Sequence, residues 1–131
     1  MQFGSRIDAT EKNEREEYFS VIKIISTEIL VLNNDLKIRL IGIKEDKNKN
    51  YKAIEFLKQK LQGQKVFLKF DELKYDKENN LMCYLYLKNK TLINAHLLKN
   101  DLAMVDHSYD FKHKDKYIIY KQFANGERVD S

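Results

Sequence analysis

Residues Leu36–Ile43 read LKIRLIGI, and Lys44–Asn50, KEDKNKN, follow at once. The first eight residues alternate apolar and basic positions and then turn wholly apolar, the pattern of a strand with one face in a core. The break into mixed charge after Ile43 ends that strand. Arg39 lies between Ile38 and Leu40, so it shares a face with Lys37 and faces away from its apolar neighbours. Two readings of Arg39 stay open: a ligand for a phosphate, or the partner of an acid on an adjacent strand.

Working outward, FSVIKII (Phe19–Ile25) and EILVLNN (Glu28–Asn34) precede this segment and are β-branched and apolar. Asn33-Asn34-Asp35 is a hairpin turn, because Asn and Asp tolerate positive φ. Three strands so tightly joined form an antiparallel meander. Downstream, Ala53, Ile54, Leu57 and Leu61 recur at helical spacing, and Gly63 is a natural helix terminator, which predicts a helix over Tyr51–Gly63. QKVFLKF (Gln64–Phe70) and LMCYLYLK (Leu81–Lys88) are the fourth and fifth strands. Asn94 is expected to cap a second helix through AHLLKNDL, and a third helix is expected from about Asp115 to Phe123.

The order β-β-β-α-β-β-α, with a further helix, predicts a mainly β fold. Five short strands cannot cover both faces of an open sheet. A closed five-stranded OB-fold barrel with an inserted helix and C-terminal helices is the compact solution. Residues 1–17 read as a linker or flexible arm, 18–124 as the folded domain and 125–131 as a flexible tail.

The 131-residue chain carries a formal net charge of +4, almost all of its basic residues being lysine. Such a charge suits contact with nucleic acid or another anionic surface, but it is also the compositional bias of an A/T-rich genome. No apolar run approaches the roughly 20 residues needed to span a bilayer, and the N-terminus lacks a signal-peptide core. The single cysteine, Cys83, excludes an internal disulfide and suits a reducing compartment, so a cytoplasmic location without membrane partners is expected. His96, His107 and His113 have no metal-ligand spacing, and no nucleophilic triad or glycine-rich phosphate loop is present. No cofactor is expected.

The strand wording resembles the staphylococcal nuclease family across about Tyr18 to Val105. It does so in VIKIISTEILVLNNDLKIRLIGI, AIEFLKQKLQGQKVFLKF and YDKENNLMCYLYLKNKTLINAHLLKNDLA. That resemblance implies a five-stranded OB barrel and a calcium-dependent phosphodiesterase site. Such a site has two aspartate ligands, a glutamate acting on the attacking water and two arginines on the phosphate. Hard Ca²⁺ requires several anionic oxygens, and the arginines neutralise charge developing on the phosphoryl group.

Carried over position by position, that site is degenerate. The family's DGDT turn falls on Ser26-Thr27-Glu28-Ile29, which makes Glu28 a longer acid at one metal position. Arg39 matches one phosphate-binding arginine. Lys44 takes the second metal position, Lys47 the general base and Asn80 the second arginine. An ammonium group about 4 Å from a cation site costs about 4 kcal/mol at an effective dielectric near 20. Loss of the base and of one clamp removes further factors, each about 10² or more. No catalytic residue and no metal site are therefore expected, unless a shifted loop returns Glu45 or Asp46 to the neighbourhood of Glu28.

The expectation is a binding or docking module, with DNA as the favoured partner. Lys37, Arg39, Lys44, Lys47, Lys112, Lys114 and Lys116 are its candidate phosphate contacts. Tyr84 and Tyr86, on one face of the fifth strand, are candidate base-stacking rings, or else packing beneath the helices. A weaker similarity links IDATEKNEREEYFSVIKI and VDHSYDFKHKDKYIIY to tail modules of bacterial DNA N6-adenine or N4-cytosine methyltransferases. It implies a covalently attached methyltransferase domain. A residual calcium nuclease and a protein-interaction domain are the competing expectations.

Overall fold

A computed structural model describes residues 17–126. Residues 1–16 of the expected 1–17 arm and 127–131 of the expected 125–131 tail lie outside the described residues. Seven strands and three helices follow in the order β1 (Val21–Ile24), β2 (Ile29–Leu32), β3 (Lys37–Leu40), β4 (Ile43–Glu45), α1 (Asn50–Leu61), β5 (Val66–Lys69), β6 (Leu81–Leu87), α2 (Ile93–Lys99), β7 (Ala103–Val105) and α3 (Lys114–Ala124).

The meander forms as expected: β1 pairs with β2 and β2 with β3, both antiparallel. Strand β6 then adds in parallel beside β3, and β5 pairs antiparallel with β6. The result is a mixed five-stranded sheet ordered β1-β2-β3-β6-β5. The two edges of this sheet meet at the Phe19–Val66 bridge, with reciprocal hydrogen bonds of 2.8 and 2.9 Å, in keeping with the expected OB-type fold.

Period-two patterning sets the core. Leu30 and Leu32 of β2, and Ile38 and Leu40 of β3, are fully buried, while Lys37 and Arg39 face the other way. Strand β6 is buried almost along its length, as befits a central strand between two neighbours. Ala53, Leu57 and Leu61 of α1 turn inward at helical spacing. Among the described residues no helix is long and apolar enough to cross a membrane.

The segment LKIRLIGI is two strands rather than one. At Gly42 the chain takes φ +78°, and β4 leaves the main sheet to pair with β7. A Cβ at position 42 would lie 2.5 Å from Phe111 Cζ, so glycine is demanded by both the dihedral and the space. Its N–H donates to the Tyr109 hydroxyl at 2.8 Å, and its carbonyl accepts the Asp106 N–H at 2.9 Å. Strand β7 starts just beyond Leu102, the expected end of the second helix, where no strand is expected, and α2 itself stops at Lys99.

Asn94 also departs from expectation. It is not a cap but lies within α2, fully buried. Its Oδ1 accepts the Leu85 N–H at 2.9 Å, and its Nδ2 donates to the carbonyls of Ile41 (3.0 Å) and Cys83 (3.3 Å). These bonds tie α2 to β6 and to the corner between β3 and β4, satisfying backbone groups that water cannot reach.

Candidate functional site

Arg39 projects from β3 among three carboxylates. Nη2 lies 3.1 Å from Glu28 Oε1 and 4.0 Å from Asp106 Oδ2, and Nη1 lies 3.1 Å from Asp76 Oδ2. Strand pairing explains Glu28, since β2 and β3 place Ile29 opposite Arg39. Asp76 arrives from the β5–β6 connection, and Asp106 follows β7 directly. Burial alone would lower the Arg39 pKa. The Asp76 hydrogen bond and the charges of Glu28 and Asp76 outweigh it and raise the pKa further.

Glu28 serves two partners. Oε1 takes Arg39, and Oε2 accepts the Glu45 backbone N–H at 2.7 Å, pinning the start of the charged loop. The loop is ordered further along. Asp46 Oδ1 accepts the Asn48 N–H at 3.0 Å, the Thr27 hydroxyl donates to Asn50 at 2.6 Å, and Lys49 Nζ donates to Asp101 at 2.5 Å. Glu45 is held by its register opposite Ala103. Among the described residues no three His, Cys, Asp or Glu side chains are grouped to hold a metal ion.

Lys44 sits in β4 opposite Met104, and Lys47 follows in the loop. Asn80, at the position matched to the second arginine, is buried and directed inward. Its backbone N–H donates to Asp76 Oδ1 at 2.8 Å, and its Nδ2 donates to Asp76 Oδ2 at 3.0 Å. Asn80 thus closes a turn around Asp76, and Asp76 in turn holds Arg39. Burial alone would raise the Asp76 carboxyl. The Asn80 hydrogen bonds, with Arg39 and the Glu78 N–H, hold it below the ordinary aspartate value. Beside this cluster an open cleft of about 520 Å³ is lined by Arg39, Lys77, Asp76, Asp106, Glu78 and Tyr109, among others. Its acids outnumber its bases by one.

The remaining candidates scatter. Lys37 is exposed at the start of β3, and Lys112 and Lys116 are exposed before and on α3. Lys114 does not project as a free phosphate contact. Its Nζ donates to the Tyr109 carbonyl at 3.0 Å and lies 3.5 Å from Asp110. Tyr84 is 2 % exposed, donates its hydroxyl to Asp71 at 2.6 Å and packs edge-on against His113 and Tyr117. Of its two readings, base stacking gives way to packing beneath α3. Tyr86 is half-buried and stacks on Phe67, with centroids 5.1 Å apart.

Sequence reasoning missed Asp76, Asp106 and Tyr109. Asp76 was findable: Asp-Lys-Glu-Asn-Asn is the wording of an aspartate-centred turn, and such a side chain accepts the N–H groups that follow it. Tyr109 carries no such signal, because its partner, the Gly42 N–H, is 67 residues away.

A curled, mixed five-stranded sheet, with a helix between β4 and β5 and Arg39 of β3 set among three carboxylates, defines an OB-type domain. The staphylococcal nuclease homologue family model matches residues 5–130, and the chain belongs to that family. Domains of this kind generally bind nucleic acid. A search of curated proteins found no match.

Proposed function

We propose that this domain binds nucleic acid without cleaving it. The observation that carries the reading is the fate of Arg39. The group aligned with a phosphate-binding arginine is spent on Glu28 and Asp76, with Asp106 close by. Around a single guanidinium these three acids leave the cluster net negative, so an incoming phosphate meets repulsion rather than a clamp. Lys44 stands where the resemblance requires an anionic ligand, and Lys47 where it requires a base. Neither ammonium can ligate a hard cation or accept a proton from water near neutral pH. Binding then rests on exposed lysines outside the cleft, with Lys37, Lys112 and Lys116 among the candidates.

DNA is the favoured partner, and the domain serves as the docking module of a DNA methyltransferase. Support for that context is the similarity of its approach and its ending to methyltransferase tail modules. The coding sequence upstream of Met1 tests this half of the proposal, which requires methyltransferase motifs there.

The binding half is tested by fluorescence anisotropy with a labelled single strand and a labelled duplex. Binding at about 50 mM salt that falls steeply toward 200 mM is expected. No binding at low salt would favour a protein-interaction domain instead.

A further inference from the structure

We propose that the outer face of the β5–β6 hairpin is the nucleic-acid contact surface, a deepening of the binding reading above. Residues 56–70 and 79–100 contain no Asp or Glu; they supply the second half of α1, β5, β6 and α2, with β5 and β6 paired side by side. Within them Lys65, Lys69, Lys88 and Lys90 are all exposed. The register pairs Val66 with Leu87, which sets Lys65 directly opposite Lys88; the Lys88 N–H donates to the Lys65 carbonyl at 3.0 Å. Like charges facing each other across a strand pair destabilise a sheet. Among the described residues neither Lys65, Lys69 nor Lys88 has an acidic partner to relieve that cost.

Aromatic rings hold three of these ammonium groups in place. Lys69 Nζ sits 5.6 Å from the Tyr86 centroid, Lys88 Nζ 5.5 Å from Tyr18 and Lys90 Nζ 5.9 Å from Phe67. The rings themselves form one continuous stack. Tyr86 lies flat on Phe67, and Tyr18 meets Phe67 edge-on at 6.0 Å. A lysine laid over a ring keeps its charge and its outward N–H groups while losing much of its freedom. Less ordering entropy then remains to be lost when a phosphate is bound. Three such cations with Lys65 beside them, on two strands that carry no acid of their own, match a polyanionic backbone. The Arg39 cleft, with its surplus of carboxylates, does not.

The test is the salt dependence of binding to a labelled oligonucleotide, for the wild-type chain and for two triple variants of equal charge loss. Lys65→Gln/Lys69→Gln/Lys88→Gln removes the face, and Lys23→Gln/Lys52→Gln/Lys77→Gln removes lysines elsewhere. For a single strand the log–log salt slope should fall by about 2 in the hairpin variant, at roughly 0.7 for each phosphate left unneutralised. The second variant should keep the wild-type slope and unfolding midpoint, and the hairpin variant should unfold no earlier than wild type, since the Lys65–Lys88 repulsion is gone. An unchanged slope in the hairpin variant, with wild-type binding intact, overturns this surface and leaves the binding reading standing. Absence of any oligonucleotide binding by the wild-type chain overturns both. Capture by anionic vesicles but not by oligonucleotides does the same.

Discussion

Asp76 Oδ2 lies 3.1 Å from Arg39 Nη1, and the same oxygen accepts the Asn80 side-chain amide at 3.0 Å. The turn that leads into β6 is thereby tied to the middle of β3, and the arginine is fixed in place. The Asp76 side chain is only 7 % exposed, so this is a partly buried ion pair, not a surface one. Breaking such a pair from one side strands the other charge. Asp76→Ala should lower unfolding free energy by about 2–3 kcal/mol, as Glu28 still neutralises part of Arg39. Urea unfolding measures it. A change under about 0.5 kcal/mol, the range of an ordinary surface substitution, would show that the pair does not brace the fold.

Gly42 makes a sharper prediction. Gly42→Ala imposes both a left-handed conformation on a residue with a Cβ and an approach of 2.5 Å to Phe111. The conformational cost is about 1–2 kcal/mol and overpacking adds about 1–3. A second change, Phe111→Leu, should recover the overpacking part alone. Full recovery, or no destabilisation in the single variant, would contradict the geometry.

Tyr117 is 1 % exposed, and its hydroxyl has no hydrogen-bond partner among the described residues. Burial pushes its pKa far up, consistent with a hydroxyl held away from water. Since an unpaired buried polar group costs about 1–3 kcal/mol, Tyr117→Phe should raise the thermal midpoint. A fall would reveal a partner for that hydroxyl.

Below neutral pH the dependence has two stages. Burial, followed by the charges of Lys99 and Lys60, lowers the His96 pKa from 6.5. Burial, followed by Lys116 and Lys112, does the same for His113 despite Asp71. Asp71, Asp76 and Asp101 are also lowered, from 3.8: burial opposes the shift, but hydrogen bonds led by Tyr84, Asn80 and Lys121 outweigh it. All five folded-state values lie below their unfolded values, so the unfolded chain binds more protons and stability rises with pH. Stability should be flat between about pH 7 and 8, soften below about 6.5 as the histidines charge, fall more steeply below about 4, and decline again above about 9, since burial raises the Cys83 and Tyr117 pKa values. Urea midpoints across that range check it, and His96→Gln/His113→Gln should remove the first stage. Stability increasing toward acid would reverse the sign.

Much of this was legible in the residues. Alternation set Ile38 and Leu40 on the face opposite Arg39, and helical spacing found α1 within two residues. Long-range partners decided the rest. Nothing local marks Gly42 as a strand break, because its cause is the Phe111 ring beyond β7. Asn94 has the look of a cap, and its burial depends on carbonyls at Ile41 and Cys83. The Arg39–Glu28 pairing was one of two open readings from adjacent strands, whereas Asp106 reaches the cluster only after β7 returns to β4.

Cleavage of single-stranded DNA in excess calcium, with and without EDTA, tests the account at its centre, which is that Lys44, Lys47 and the sequestered Arg39 leave no catalytic site. The account predicts an intact strand in both conditions, at concentrations where the protein binds it. Cleavage that EDTA abolishes, and that Arg39→Gln also abolishes, would contradict it.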